Sequence, residues 1–243
     1  MKFVNSPNLP DSRVKSVIIG EEYKTIIEEL NRLGIDTITL KPDCRFLPGL
    51  ECHADMQVFN EGNGNFYINR IQEELCEIIN NEGGSINKID FSDKALYPDD
   101  VLLNAAAVGK HLICNRNTIS AKILEQTKFT IIDVHQGYSK CSVCVVNSEA
   151  IITDDISIYN ALQGVIDVLL ISKGDIHLNG FNYGFIGGAT FKLDKNILAF
   201  TGQVKTHRDS DKIKSFLNNH SVNILELNNS ELIDIGGVIQ LSI

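Results

Sequence analysis

Apolar residues recur along this chain at helical spacing in five separate stretches. In the first stretch, Tyr23, Ile26, Ile27, Leu30 and Leu33 follow the three- and four-residue intervals that place side chains on one helix face. The five predicted helices cover residues 21–33, 70–80, 118–126, 156–165 and 211–219. The third predicted helix has the smallest apolar face, which consists of Ile119, Ile123 and Leu124.

Strand-like segments fill the chain between these helices. A short apolar run follows each helix and predicts one strand, at residues 37–40, 86–91, 129–134, 167–172 and 222–227. Four hairpins are predicted before the later helices, at residues 53–59 with 66–69, 101–108 with 112–115, 141–146 with 150–153 and 189–193 with 197–201. Two single strands remain, at residues 17–19 and 237–243, and we expect them to pair with each other.

The predicted elements form a repeat of about 40–50 residues, in the order strand, strand, helix, strand. Five such units around an axis make a five-fold pseudosymmetric α/β propeller of ββαβ units, closed by pairing of the N- and C-terminal strands. An open α/β sheet is the alternative, but its strands and helices alternate singly, which the hairpins do not fit. No stretch rich in proline, serine or charge divides the chain, so residues 1–243 are predicted to be a single domain.

Composition narrows the possible partners. The net charge of −9 argues against a nucleic-acid groove, because phosphate binding needs a basic surface. No window of eighteen apolar residues is present, and the first residues lack an apolar signal core, so a cytoplasmic protein without a membrane partner is expected. No metal-binding or nucleotide-binding motif stands out, and no metal or cofactor is expected. The sequence does not predict the oligomeric state.

Six cysteines lie in the chain, at Cys44, Cys52, Cys76, Cys114, Cys141 and Cys144. Free thiols are expected in a cytoplasmic protein. Cys141 and Cys144 form a C-x-x-C pattern, but on a predicted strand thiols three residues apart face opposite sides of the sheet. Cys144 is therefore interpreted as a core residue, whereas Cys141 is either a core residue or a nucleophile. Lys140 and His135 would lower the pKa of Cys141 if the fold turned them toward it.

Several motifs together resemble the pentein superfamily, the guanidine-modifying enzymes that include deiminases, dimethylarginine hydrolases and amidinotransferases. These motifs are HADMQVF at 53–59, YPDDVLLN at 97–104, QGYSKCSVCVV at 136–146, ITDD at 152–155 and GFIGGA at 184–189. The chain most resembles an uncharacterised bacterial family assigned to that fold. The resemblance implies a pentein-like propeller and a cysteine that attacks a guanidinium carbon with help from an H-x-D pair, without a cofactor. His53 and Asp55 match that pair.

The position of the cysteine departs from the superfamily pattern. The superfamily thiol usually follows a Gly-Gly pair near the C-terminus, where this chain has Gly236-Gly237 and then Gln240. Cys141 lies about two units after His53, as the superfamily thiol does, so a circular shift of the units would make Cys141 the nucleophile. The Gly187-Gly188 and Gly236-Gly237 pairs would then resemble substrate-binding turns, although the usual flanking carboxylates are mostly missing.

Two functions remain open at this point. The first is a hydrolase or transferase acting on a guanidine- or amidine-type small molecule, with Cys141 as nucleophile, His53 moving the proton and Asp55 orienting His53 or pairing with the substrate. The second is a catalytically inactive protein of the same fold that binds a small polar ligand at its axial cavity. The predicted substrate-binding residues are Asn104, Tyr138, Asp155, Gly187 and Gly188, although Asp155 also fits a helix N-cap.

Overall fold

A computed structural model describes residues 1–243, with fifteen strands and seven α-helices. The strands are β1 Ser16–Gly20, β2 Asp36–Leu40, β3 Val58–Gly62, β4 Asn65–Asn69, β5 Ser85–Ile89, β6 Ala106–Val108, β7 His111–Cys114, β8 Thr130–Asp133, β9 Val143–Asn147, β10 Ala150–Thr153, β11 Asp167–Leu170, β12 Thr190–Asp194, β13 Ile197–Phe200, β14 Asn223–Glu226 and β15 Ile239–Ser242. The helices are α1 Lys24–Arg32, α2 Ala54–Gln57, α3 Glu73–Asn81, α4 Ala121–Gln126, α5 Ser139–Ser142, α6 Ile156–Leu162 and α7 Ser210–Asn219. No helix is both long enough and apolar enough to cross a lipid bilayer.

The strands form five three-stranded sheets of one topology, which we call blades. Blade 1 is β15-β1-β2, blade 2 is β3-β4-β5, blade 3 is β6-β7-β8, blade 4 is β9-β10-β11 and blade 5 is β12-β13-β14. In each blade the central strand runs antiparallel to the first strand and parallel to the third, and a helix connects the central strand to the third. The first strand of every blade, the inner strand, is almost wholly buried, whereas the third strand is partly exposed.

The hydrophobic core is divided into five clusters, and each cluster lies between two neighbouring blades. Leu198 and Phe200 of blade 5, for example, share a cluster with Cys144 and Val146 of blade 4. The remaining clusters join blades 2 and 3, blades 5 and 1, blades 1 and 2, and blades 3 and 4. Because every adjacent pair is joined, including the fifth with the first, the blades form a closed ring.

The two ends of the described chain meet in blade 1. Strand β15 pairs antiparallel with β1, with Ser242 opposite Ser16 and Ile239 opposite Ile18. This pairing was predicted from the two single strands, and it is confirmed. The five-fold α/β propeller is likewise confirmed, and the open sheet is wrong because no strand connects one blade to the next.

The five helices that follow the central strands agree with the predicted helices in their apolar faces, but three of them begin later than predicted, and the helical turns α2 and α5 were not predicted. Helix α1 buries Ile26 and Leu30, as its spacing predicted, yet it starts at Lys24 rather than at residue 21. Helices α3 and α4 also start about one turn late. The physical reason is a tight turn after each central strand, in which Tyr23 N donates to Gly20 O and Gln72 N donates to Asn69 O.

The predicted strands 53–59, 101–108 and 141–146 are too long at their N-terminal ends. The helical turn α2 precedes β3, and α5 precedes β9 in the same place. In blade 3 the corresponding residues form a turn closed by the bond from Asn104 N to Val101 O. His53-Ala54-Asp55 is therefore not on a strand, and the prediction of a strand at residues 53–59 is wrong for these three residues. These segments are buried on all sides, so their apolar pattern does not distinguish a turn from a strand.

Candidate active site

Five short segments that lead into the inner strands meet at one end of the propeller axis, and we call them the hub segments. They are residues 234–238 in blade 1, 53–57 in blade 2, 101–105 in blade 3, 138–142 in blade 4 and 186–189 in blade 5. Five hydrogen bonds connect them in a ring: Asp55 N to Gly236 O, Gly237 N to Gly188 O, Gly188 N to Cys141 O, Lys140 N to Asn104 Oδ1 and Asn104 Nδ2 to Asp55 O. The ring fixes the positions of side chains that are far apart in the sequence.

The hub brings His53, Asp55 and Cys141 together. One nitrogen of His53, one carboxylate oxygen of Asp55 and the Cys141 sulfur all lie within 4.8 Å of one another. The Cys141 thiol donates a hydrogen bond to Asp55 Oδ2 at 3.0 Å. All three residues are buried, with Cys141 only 2% exposed. A cysteine from blade 4 and an H-x-D pair from blade 2 thus form one cluster.

Asn104, which was predicted to bind substrate, lies behind this cluster and holds it in place. Its Nδ2 donates to the Cys141 sulfur at 3.1 Å and to Asp55 O at 3.2 Å. Its Oδ1 accepts from the backbone N–H groups of Lys140 and Cys141, at 2.7 and 3.3 Å. The amide of blade 3 therefore bridges the two blades that carry the reactive groups, and it sets the direction of the thiol.

Burial and charge both act on the ionisation of the cluster. Burial raises the pKa of Asp55 to about 6, although the positive charges of Lys140 and His53 oppose the shift. The pKa of Cys141 is raised well above its usual value by burial and then by the negative charges of Asp55 and Asp234. The thiol is therefore protonated at neutral pH without a ligand. Lys140 acts on the pKa of Asp55, and it is not among the groups with the largest influence on the pKa of Cys141.

His53 has free hydrogen-bonding capacity at this site. Neither ring nitrogen has a hydrogen-bond partner in the protein, although both are buried. The expectation that Asp55 orients the imidazole is not met here, because Asp55 Oδ2 accepts from Cys141 instead. A buried polar atom without a partner costs free energy, so a ligand that supplied one would be bound more tightly.

A cavity of about 240 Å³ opens onto the cluster. Its lining residues are Leu50, His53, Tyr138, Cys141, Leu178, Phe181, Asn182, Tyr183, Phe185 and Asp234. Tyr138, predicted to contact substrate, is among them, and its hydroxyl donates to Asp100 Oδ2 at 2.6 Å. His53, Cys141 and Asp234 supply the charged or reactive groups of the cavity, and we call them together the cavity floor.

Asp234 is a site residue that the sequence did not identify. It lies just before the Gly236-Gly237 pair, where a lone Asp is typical of a turn. Its Oδ2 accepts from Phe185 N at 2.8 Å and its Oδ1 accepts from Gly236 N at 2.9 Å. The expectation that carboxylates are mostly missing from this turn needs correction, because Asp234 lines the cavity beside the thiol.

The predicted substrate-binding glycines act through their lack of a side chain. A Cβ on Gly188 would overlap the carboxylate of Asp234, and a Cβ on Gly187 would overlap the backbone oxygens of Lys140 and Cys141. Neither glycine lines the cavity. The Gly187-Gly188 pair therefore allows two other hub segments to approach closely.

Two remaining candidates lie outside the cavity. Asp155 is the N-cap of α6, where its Oδ1 accepts from the backbone N–H groups of Ser157 and Ile158. Cys144 lies on β9 in the core between blades 4 and 5, as expected for a core residue. All six cysteines are free.

The cluster also has the chemistry of a metal site. Imidazole, thiolate and carboxylate are all ligands of zinc in proteins, and a zinc site needs at least three of them within a few ångströms. His53, Cys141 and Asp55 would be the ligands, after the thiol had lost its proton.

Comparison with solved structures shows the same fold at low sequence identity. An inosamine-phosphate amidinotransferase from Streptomyces griseus has 12% identity and a TM-score of 0.63, covering 99% of this chain and 97% of that one. DDAH from Pseudomonas aeruginosa, in complex with citrulline, has 11% identity and a TM-score of 0.56, covering 89% and 92%. C. jejuni agmatine deiminase has 10% identity and a TM-score of 0.53, covering 93% and 91%.

These likenesses confirm the pentein fold that the motifs predicted. None of the curated proteins compared with the chain is similar to it in sequence. A family does match, over residues 17–239, and it is described as a family of unknown function, DUF6873. The match covers most of the sequence, so this chain belongs to the family DUF6873.

Proposed function

We propose that this protein is an enzyme that transfers or hydrolyses the amidino group of a small guanidine or amidine, with Cys141 as the nucleophile. The observation that carries the proposal is the cluster of His53, Asp55 and Cys141 within 4.8 Å at the floor of a cavity. The likeness to an amidinotransferase, an agmatine deiminase and DDAH supports the substrate class.

The charge of the floor favours a cationic substrate. Asp234 lines the cavity and Asp55 lies directly behind the thiol, so a guanidinium or amidinium would contact one carboxylate and lie near a second. Both carboxylates raise the pKa of Cys141. A bound cation offsets their charge, and we therefore expect it to lower the pKa of the thiol when it arrives.

The reaction then proceeds in two halves. The thiol proton passes to His53, and the sulfur attacks the guanidinium carbon to form a C–S bond. One C–N bond breaks, and the leaving amine takes a proton from His53. In the second half, water or an acceptor amine attacks the same carbon, the C–S bond breaks, and Cys141 recovers its proton. Water yields a urea-type product, whereas an amine yields a new guanidine.

The buried position of Gln240 supports the shifted location of the thiol. Gln240 Nε2 donates to Lys192 O at 2.9 Å, and its side chain does not line the cavity. It therefore has a structural contact on the inner strand of blade 1. Cys141 instead takes the place beside His53, with one blade between them.

Alkylation with a matched pair of reagents tests the proposal. Chloroacetamidine is a cation, and chloroacetamide is its neutral counterpart of nearly the same shape. We expect chloroacetamidine to alkylate Cys141 at least about tenfold faster than chloroacetamide, because the floor is anionic. Exposed Cys44 is the internal reference, at which the two reagents should differ little. Peptide mass mapping in the presence of EDTA measures both sites.

The result separates the enzyme from the inactive scaffold. Adduct formation at Cys141 that depends on the cation, and that is lost in Cys141→Ser, supports the nucleophile. If Cys141 reacts no faster than Cys44 with the cationic reagent, the thiol is not a nucleophile and the ligand-binding alternative stands.

A further inference from the structure

The cavity is apolar above the floor, whereas the floor itself carries charged or reactive groups. This contrast indicates which kind of substrate the cavity can bind. Six of its lining residues are aliphatic or aromatic: Leu50, Tyr138, Leu178, Phe181, Tyr183 and Phe185. We call these six residues the cavity wall. Apart from the cavity floor, Asn182 is the one remaining lining residue. A substrate whose guanidinium reaches Asp234 would place the rest of its structure against apolar surface.

The aromatic part of the wall is held in a fixed arrangement. The Tyr138 ring stacks on Phe185 with centroids 6.2 Å apart and on Tyr97 at 5.7 Å. The Tyr183 ring meets Phe185 edge to face at 6.0 Å. The bond from the Tyr138 hydroxyl to Asp100 anchors the stack. Such packed rings bind another flat ring at little entropic cost, because they do not need to be ordered first.

No lysine or arginine lines the cavity. Lys173 is the cation beside the wall, with its Nζ 6.0 Å from the Tyr183 ring centroid, but it is paired with Asp155 at 4.0 Å. Lys140 lies behind the floor, with its Nζ on Gly187 O at 3.4 Å. A carboxylate on the substrate would lose its water in the cavity without a partner to replace it, which is unfavourable.

The volume of the cavity limits the size of the substrate. The volume of about 240 Å³ is below the roughly 300–1,000 Å³ typical of pockets for drug-sized ligands. Phe181 is 38% exposed, so the wall extends to the solvent at the surface. The space fits a guanidinium and about one ring or a short alkyl chain.

We propose that the substrate is a small guanidine or amidine with an uncharged apolar tail, aryl or short alkyl, and not an amino acid that carries a carboxylate. This inference rests on the proposed function for the position of the guanidinium. It is independent of whether Cys141 reacts, because it concerns binding.

Calorimetry with two matched ligands tests the substrate class. Benzylguanidine and 4-(guanidinomethyl)benzoic acid differ only in a carboxylate, and L-arginine is a third ligand. The titrations use Cys141→Ser, so that no turnover occurs. We expect benzylguanidine to bind at least about tenfold more tightly than either carboxylate ligand.

A variant can reverse this preference. Asn182 is exposed at the cavity, so Asn182→Arg adds a cation without disturbing the core. It should improve binding of the benzoic acid analogue relative to benzylguanidine by about tenfold. Asp234→Asn should weaken both ligands together, because it removes charge from the floor.

Each outcome is decisive for one of the two proposals. Equal or tighter binding of the carboxylate ligands, or no binding of benzylguanidine at 1 mM, overturns the inference. If the carboxylate ligands bind well while chloroacetamidine alkylates Cys141, the substrate class is wrong and the enzyme remains. If benzylguanidine binds selectively but Cys141 does not react, the apolar cavity remains and the enzyme is wrong.

Discussion

The hub segments of blades 2 and 4 differ in kind from those of blades 5 and 1. Blades 2 and 4 begin with the helical turns α2 and α5, which carry Asp55 and Cys141, and His53 is the N-cap of α2. Blades 5 and 1 begin instead with Gly-Gly pairs, which bring no side chain to the axis. Two blades thus supply His53, Asp55 and Cys141, whereas the glycine pairs of two others supply space, and blade 1 also contributes Asp234 to the cavity floor.

The two kinds of segment depend on each other. Gly236 has a positive φ of 66°, and a Cβ there would overlap the side chain of His53. Gly188 makes room for Asp234 in the same way. Blade 3 belongs to neither kind, since it contributes the bridging amide of Asn104. Close packing at the axis therefore requires small residues opposite large ones. Four variants test this difference between the hub segments.

The largest expected effect is on the reactivity of Cys141 when His53 is removed. His53→Ala should lower the rate constant for alkylation of Cys141 by chloroacetamidine about 1,000-fold, or about 4 kcal/mol in activation free energy, because the thiol loses its proton acceptor. The free energy of unfolding should change little. His135→Ala, at an exposed site outside the cavity, is the control. An unchanged rate in His53→Ala would remove the imidazole from the reaction.

At a Gly-Gly pair the effect should be on stability instead. Gly188→Ala should lower the free energy of unfolding by about 3 kcal/mol, because its Cβ overlaps the Asp234 carboxylate. Chemical denaturation measures the change. Gly34→Ala is the control, because no atom lies within 4 Å of its Cβ and only the positive φ of 76° is unfavourable. It should cost about 1 kcal/mol. Equal losses would mean that crowding at the axis is unimportant.

Ionisation of Asp55, on the helical turn α2, should lower the free energy of unfolding at neutral pH. Its folded-state pKa of about 6 is above the value of about 3.9 in the unfolded chain, so the folded state binds more protons between these values. Its contribution to stability is therefore complete below about pH 4 and is lost as the pH rises through 6.

Asp55→Asn removes that loss. The variant should match the wild type near pH 4 and exceed it by about 2 kcal/mol in free energy of unfolding at pH 7.5. Denaturation at several pH values measures the difference. Because Asp154 also has a raised pKa, of about 7, the comparison is made between variant and wild type at each pH. A difference that does not grow with pH would contradict the assignment.

The smallest expected effect concerns Lys140, the cation behind the floor. A Cβ on Gly237 would lie 3.3 Å from Lys140 Nζ and 3.8 Å from Asp55 Oδ2. The ammonium and the carboxylate are therefore close to each other. Lys140→Met should raise the pKa of Asp55 further, by about one unit, as measured by NMR of the side-chain carboxyl carbon.

Lys192 provides the matched control for that measurement. It is also buried, with its Nζ on Val146 O at 3.0 Å, but it lies on the inner strand of blade 5. Lys192→Met should leave the pKa of Asp55 unchanged. Equal shifts in both variants would mean that Lys140 has no special influence on the cluster.

The repeat of helices and strands could be predicted because each element has one buried face. The apolar spacing of α1 and the unpaired strands at residues 17–19 and 237–243 led directly to the closed ring. The hub segments could not be predicted in the same way. Residues 53–57 and 139–142 are buried on every side, so their pattern contains no period that separates a turn from a strand.

The site was predictable only where a motif marked it. His53, Asp55 and Cys141 were identified through their resemblance to the pentein motifs, and the structure brings them together. Asp234 was missed because its role depends on Phe185, which lies 49 positions away along the chain. Apart from Tyr138, which was predicted, the cavity wall was missed for the same reason, since residues such as Leu50 and Phe185 belong to connections that are far apart along the chain.

The pairing of β15 with β1 has a consequence for the order of folding. Ser16 and Ser242 meet across a separation of 226 positions, so blade 1 cannot be completed until nearly all of this sequence has been synthesised. Contacts this distant form slowly. Until then β1 presents an open edge to which other chains can attach. A chain in which β15 has not yet been made would therefore be prone to aggregate through this edge until β15 pairs with β1.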